Sequence, residues 1–359
     1  MGMKIDRLSL KNFMLFDKFD AHWSKNINII CGSNNMGKSI LLKVMYSLLA
    51  AYRASDASES KDKVESRFVD KLVNVFRSDD LLVGRLARRK QGTTRAECHL
   101  EFDNETSVKV SFSNKAENHI DLSISNFEAE LDLQRTVVYF PPKEIISSTE
   151  NFRALYEDMH IAFEETYNDL AKLLARPLKK GPNTEEQNQV LDSLGKIMEG
   201  TIVQRNNKFY LNVSGKGEFE MGLVSEGYRK LATIVYLIRN GALNANSVLF
   251  WDEPETNMNP KMIRPLVEAI VTLAKLGVQV FIATHDYFFL QYMNMYMVYP
   301  EINKDQINIM FLSLYADDEK LIAYETASDI DDFEHNAIAE EFDAIYDREQ
   351  GIIYDRMRK

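Results

Sequence analysis

The stretch NIICGSNNMGKSILLK, residues 28–43, decides how the rest of the chain is read. Its apolar lead, Ile29, Ile30 and Cys31, has the character of a buried strand ending at Gly32, and Ser39 opens an apolar pattern at helical spacing over 39–55. Between them Gly32, Gly37, Lys38 and Ser39 satisfy G-x-x-x-x-G-K-[ST]. Strand, glycine-bounded turn and helix in that order aim successive backbone N–H groups at a polyphosphate, and the helix N-terminus behind them adds its partial positive charge. Gly32, Asn34, Asn35, Gly37, Lys38, Ser39 and Ile40 are therefore candidate phosphate-binding residues. Lys38 is suited to reach the β- and γ-phosphates and Ser39 to ligate Mg2+.

Three later stretches carry matching chemistry. In SVLFWDEPETNMNP (247–260) an apolar strand delivers Asp252 and Glu253, and Pro254 stops the strand so that both acids sit at its carboxyl edge. Asp252 is the candidate for holding Mg2+, Glu253 for orienting and deprotonating an attacking water. VFIATHD (280–286) again runs a strand into polar residues, and His285 could hydrogen-bond a γ-phosphate or the water. In LVSEGYRKLATIVYLI (223–238), Ser225 and Gly227 open a helix whose N–H groups form another anion site, although an ordinary capped helix has the same spacing.

The remaining chain sets the frame. Hydrophobic residues are 45% and charged residues 27% of 359, ordinary globular usage, and the formal charge of -11 confines any nucleic-acid contact to a local basic patch. Two cysteines, Cys31 and Cys98, make no disulfide framework, and six scattered histidines lack metal-site spacing. The charged, alternating start is unlike a secretory signal, and no apolar run reaches the roughly 18 residues of a membrane span, so a soluble, cytoplasmic protein is expected. Alternation predicts strands at 4–13 and 26–32, a hairpin at 95–114 turning at Asp103-Asn104, a strand in 134–147 and a hairpin at 201–213 turning at Asn206-Asn207. Helical spacing predicts 64–78, a long helix over 148–177 and an acidic helical tail from 316. Helix (225–241), strand (247–251), helix (261–276) and strand (278–283) alternate as in a parallel sheet.

In that order the motifs resemble the ABC-type ATPases of the SMC/RecF/OLD class, over residues 1–300 or so: LSLKNFMLFDKFD before the phosphate loop, VSEGYRK in place of the signature, DEPETNMNP for the acidic pair and following loop, THD for the switch histidine. The resemblance implies an α/β P-loop NTPase of ABC ATPase type: a mixed sheet flanked by helices, with an antiparallel β subdomain and a small helical lobe. Its lobes are expected at 1–140, 141–200 (helical insertion), 201–315 and 316–359. It also implies Mg2+-dependent ATP hydrolysis in a head-to-tail dimer or higher homo-oligomer, where Ser225 and Gly227 complete the partner's site and Asn259 lies on the seam. Only about 185 residues separate loop and signature, without sustained heptads, which departs from coiled-coil repair ATPases, and the 73 residues after THD are expected to be too few for an OLD nuclease domain. VVYFPPKEIIS and RNGALNANSVLFWDEPETNMNP look most like the stand-alone ATPase subunits of anti-phage systems, the PtuA type of Septu and retrons or the AriA type of PARIS. In those a separate effector, usually a nuclease encoded nearby, is held by the ATPase, with a phage protein as possible trigger. The alternative is a RecF-like DNA clamp, for which Arg85, Arg88, Arg89, Lys90 and Arg95 with Arg176, Lys179 and Lys180 could track a phosphate backbone. The tail's Ile330, Phe333, Ile338, Phe342 and Ile345 suggest docking on its own domain rather than in a partner groove.

Overall fold

A computed structural model describes residues 3–127, 136–150, 152, 155–156, 162–206 and 208–357. Its centre is a six-stranded sheet of β3 (Ile27–Gly32), β7 (Val137–Phe140), β11 (Val248–Asp252), β12 (Gln279–Ala283), β13 (Ile309–Ala316) and β14 (Ile322–Ala327), in the order β14-β13-β3-β12-β11-β7. All neighbours are parallel except β14, which runs antiparallel to β13. The inner strands are mostly apolar because both faces are covered, with buried polar exceptions such as Asn28 in β3 and Gln279 in β12. Ile27, Ile29, Leu249, Trp251, Val280 and Ile282 face one core, while Ile30, Val248, Phe250 and Phe281 face the other.

The second core is closed by α1 (Lys38–Arg53), α2 (Lys61–Phe76) and an antiparallel sheet of β1 (Ile5–Phe13), β2 (Phe16–His22), β4 (Arg95–Phe102), β5 (Ser107–Ser113) and β6 (Asp121–Ser125), ordered β2-β1-β4-β5-β6. The first is closed by α3 (Glu165–Leu174), α4 (Glu185–Met198), α5 (Glu226–Arg239), α6 (Ile263–Lys275) and α7 (Tyr287–Val298), with the small sheet of β8 (Gly200–Arg205), β9 (Lys208–Val213) and β10 (Gly217–Glu220) at its side. The mixed sheet between helices, with its antiparallel β subdomain, is the expected ABC ATPase architecture.

Gln279 joins the two sheets. Fully buried, its Oε1 accepts from Ile5 N (2.8 Å) and its Nε2 donates to Ile5 O (2.8 Å) and Ser24 O (2.9 Å), standing in for a neighbouring strand where the β1 register shifts. Gln279→Leu keeps the volume but strands those groups, so thermal or urea unfolding should show a loss of about 2–4 kcal/mol. A variant as stable as the wild type would mean that the Ile5 backbone finds other partners.

Three expectations are corrected. The 148–177 segment is not one helix: Glu164 is extended, its carboxylate drawn to Lys43 Nζ at 2.5 Å, and α3 starts after it. Residues 151, 153–154 and 157–161 of that segment lie outside the described residues, as do Gln134, Arg135 and Asn207 of the strand and hairpin expectations. The tail is not helical throughout, because 322–327 forms β14 against β13 and only α8 (Ala337–Met357) is helix. The opening contains three strands rather than two, since Phe13 and Phe16 pair across a tight turn to form β1 and β2.

Candidate functional site

The parallel register sets the site. Asp252 lies opposite Ala283, and Ala283 opposite Ile30, so the loops after β3, β11 and β12 leave the same carboxyl edge of the sheet. In the first loop Gly32 (φ 127°) and Gly37 (φ 94°) hold left-handed backbone, and a Cβ on Gly32 would come within 2.2 Å of Leu314 O. One on Gly37 would meet the Phe16 ring at 2.8 Å. Asn34 and Asn35 are exposed at the loop tip, and Ile40 packs its side chain against the core while its backbone sits in the first turn of α1.

That helix begins with no side-chain cap and no acid in its first turn, so its leading N–H groups are free for an anion. Lys38, almost wholly buried, donates from Nζ to Gly32 O (2.8 Å) and Ser33 O (3.0 Å). Burial lowers its pKa, against the opposing pull of Glu253 and Asp252. An uncapped helix start, glycines where a Cβ would collide and a lysine inside the loop fit a polyphosphate.

Beside it Ser39 Oγ donates to Asp252 Oδ1 (3.0 Å) and the Tyr139 hydroxyl to Asp252 Oδ2 (3.2 Å). Burial pushes the Asp252 carboxyl up, and the Ser39 hydroxyl and Lys43 hold it back. Ser39 and Asp252 supply two oxygens, which suits Mg2+, an ion that keeps several waters and takes its remaining ligands from substrate phosphates. Among the described residues no group of three His, Cys, Asp or Glu side chains could hold a metal, so no all-protein cage competes with that arrangement.

Glu253 follows at φ 48°, an uncommon conformation for a side-chain-bearing residue, pinned by its N–H to Ala283 O (2.9 Å). Its carboxylate accepts from Thr256 Oγ1 (3.2 Å) and lies 3.4 Å from His285 Nδ1. His285 is half-exposed, so acid and imidazole meet at the mouth of the site.

Several contributors escape motif reading. Glu255, buried and with its pKa raised by that burial, accepts from Thr284 Oγ1 (2.7 Å), anchoring the residue before His285. Lys230, buried on α5, donates to Glu253 O (3.3 Å), Pro254 O (3.1 Å) and Thr256 O (2.9 Å). Arg229, its neighbour, pairs with Glu144 at 2.5 Å in the turn after β7. Only the two basic residues in EGYRK hinted at this. Lys230→Met keeps the stem but takes the ammonium donor from three carbonyls, of which Glu253 O keeps a bond from Thr256 N (3.2 Å). Turnover should fall about tenfold or more as the Glu253 loop drifts, with nucleotide affinity held within threefold. Unchanged turnover would remove Lys230 from that positioning role.

Not all the expected residues meet. Ser225 is the exposed N-cap of α5, and Gly227 lies behind it, where a Cβ would stand 3.5 Å from Met258 Cγ. Among the described residues no hydrogen bond joins either to residues 32–40. Leu223 beside them is 79% exposed, and Asn259 is exposed while its Oδ1 caps Lys261 N. The basic run is largely occupied: Arg88 and Lys90 reach Asp17, and Arg95 pairs with Asp121. Arg176 and Lys179, with Asn240, Asn246 and Lys275, line a cavity of about 680 Å3 beside Thr136, just before β7, away from the phosphate loop. Among the described residues no helix is long and apolar enough to cross a membrane.

Against known proteins, the chain is 23% identical over 283 residues to the DNA replication and repair protein RecF of Staphylococcus haemolyticus, covering 74% of this chain and 69% of that one. RecF of Streptococcus suis is 23% identical over 245 residues, covering 65% of this chain and 61% of its own length. Among solved structures, an SMC head bound to the C-winged helix domain of ScpA superposes with TM-score 0.53 at 13% identity, over 90% of this chain and 97% of that chain. An SMC head with an extended coiled coil, bound to the C-terminal domain of ScpA derived from Pyrococcus furiosus, gives 0.51 at 11% identity, over 99% and 100%. These two establish the fold. The family described as "AAA domain, putative AbiEii toxin, Type IV TA system" matches residues 27–291, from the first residue of β3 into α7. With most of its length and every candidate site residue inside that match, the chain belongs to this family of AAA/ABC-type ATPases.

Proposed function

We propose that this chain is a Mg2+-dependent ATPase that closes as a head-to-tail dimer, or a higher homo-oligomer, and thereby controls a separate cytoplasmic effector, a nuclease encoded nearby, in defence against phage. The observation that carries the dimer is the division of the site: the uncapped cradle at 32–40 and the exposed Ser225 start of α5 lie on one chain without a bond between them. Two copies facing head to tail bring the second anion site of one onto the γ-phosphate held by the other, with Asn259 and Leu223 on the seam. The effector reading rests on the resemblance to stand-alone defence ATPases such as PtuA and AriA.

In this reading Gly32, Asn34, Asn35, Gly37 and Ile40 cradle the phosphates through their backbone, and Lys38 meets the β- and γ-oxygens. Ser39 and Asp252 would hold Mg2+, which would supply positive charge to the phosphate oxygens. Glu253 takes a proton from water as its oxygen bonds the γ-phosphorus, and the bond to the bridging oxygen breaks, releasing ADP and phosphate. His285 steadies Glu253 and the γ-phosphate.

The second reading, a RecF-like DNA clamp, draws on the RecF relatives and on Arg176 and Lys179, which have no ion-pair partner among the described residues. The deciding experiment expresses the protein with its neighbouring reading frame, purifies it by a tag on this subunit and measures complex mass with ATP by light scattering. A large assembly carrying the second protein supports the effector reading. A bare ATP-dependent dimer that binds DNA with a steep salt dependence replaces it with the clamp.

A further inference from the structure

The last helix, α8, has an apolar face that is largely exposed. Its root is packed: Ile330 is buried, Phe333 and Ile338 lean on the first core, and Asn336 caps the first turn through Oδ1. The expected docking of the tail on its own domain holds that far, and beyond it Phe342 keeps one ring contact, with Tyr287. From Glu340 through Tyr354 every residue is exposed, including Phe342 (48%), Ile345 (58%), Tyr346 (61%) and Ile352 (48%).

Ile338, Phe342, Ile345, Tyr346, Ile352 and Ile353 stand at i, i+4, i+7, i+8, i+14 and i+15 on one helical face, which Glu349 at i+11 divides into two apolar segments. A stripe this long on a helix of about 30 Å is a binding face rather than scattered surface apolarity. Around it Glu340, Glu341, Asp343, Asp347 and Glu349 make no ion pair among the described residues, and Arg348 is the one basic residue among them. A second copy of the same helix would set acid against acid along the seam, which disfavours self-pairing. We infer that the α8 stripe docks into an apolar groove rimmed by lysine and arginine on a separate protein, in the helix-in-groove mode. The inference rests on the effector reading and names the surface by which the effector is held. Its root also touches the site: Phe342 stacks 4.3 Å from Tyr287, two residues after His285, so an occupant of the stripe lies against the helix that follows the switch histidine.

The test uses the full chain and the product of the neighbouring reading frame. The triple variant Ile345→Asp, Tyr346→Asp, Ile352→Asp changes exposed positions away from the Phe342–Tyr287 contact, and its melting temperature and ATP turnover without partner should match the wild type. Affinity for the neighbour should fall at least about 100-fold. A second variant, Glu340→Lys, Glu341→Lys, Asp347→Lys, should weaken binding at low salt and approach the wild type at high salt, the signature of a basic rim. If the neighbour binds the triple variant as well as the wild type, the effector reading stands and this surface does not carry it. If the nucleotide-free wild type has twice the mass of the triple variant, α8 pairs copies of this chain and the inference is overturned. If the neighbour fails to bind the wild type at all, both readings fall together.

Discussion

Glu253→Gln should lower ATP turnover by about 10²-fold or more while leaving nucleotide affinity within a few-fold of the wild type. The substitution preserves shape, and an amide oxygen can still accept from Thr256 Oγ1 and keep the side chain near His285 Nδ1, the contacts that aim it now. What disappears is the ability to take a proton. The strained backbone at Glu253, with its N–H on Ala283 O, is set by the β11–β12 edge and not by the carboxylate, so the loop keeps its course. If hydrolysis is what opens the dimer, the variant should also persist as an ATP-bound dimer, visible as a doubled mass that survives dilution. Turnover at the wild-type rate would show that Glu253 is not the base. Glu255, the next carboxylate, is a poor substitute, because it is buried and already engaged by Thr284 Oγ1.

Glu253 also marks how far the sequence could be read. The phosphate loop, the acidic pair and the histidine are legible because each requirement is local: a strand, a stop and a side chain within a few positions. The parallel alternation around them then brings Gly32, Asp252 and His285 to one edge. The contacts that tune these groups are not local. Lys230 meets its carbonyls 23 to 26 positions away, Arg229 meets Glu144 across 85 and Tyr139 meets Asp252 across 113, and no spacing rule links such pairs. Some elements lacked a signal of their own. Strand β10 is GEFE, exposed at all four positions and held by pairing to β9, and β14 hides in an acidic stretch whose composition suits a helix. Helix α4 did announce itself, through the reciprocal capping box of Thr184 and Gln187, inside the region expected only as a helical insertion. Ser225 lies at the other limit: its helix start is legible, but among the described residues no hydrogen bond joins it to residues 32–40, and the contact proposed for it lies on a second copy.

Lys38 should dominate binding as Glu253 dominates turnover. Its Nζ is held within the loop by Gly32 O and Ser33 O, and Glu253, Asp252 and Glu255 are the carboxylates whose charge acts on it. Lys38→Ala removes the cation held inside the loop, so an incoming triphosphate would meet two loop carbonyls and the nearby carboxylates without that compensating charge. A buried, charge-assisted contact of this kind is worth several hydrogen bonds, and affinity for ATP should fall by about 10²–10³-fold or beyond detection. Lys38→Met separates charge from packing, since it keeps the buried stem and should lose nearly as much. Thermal unfolding reads the result directly: a ligand bound only by the folded state raises the melting temperature in proportion to the logarithm of its concentration over Kd. Wild type should therefore shift upward with Mg2+ and ATP, while both variants melt at the same temperature with and without nucleotide. If Lys38→Met is stabilised by nucleotide as much as the wild type, the cradle does not work through this lysine. Binding would then have to be carried by the N–H groups of the α1 N-terminus alone.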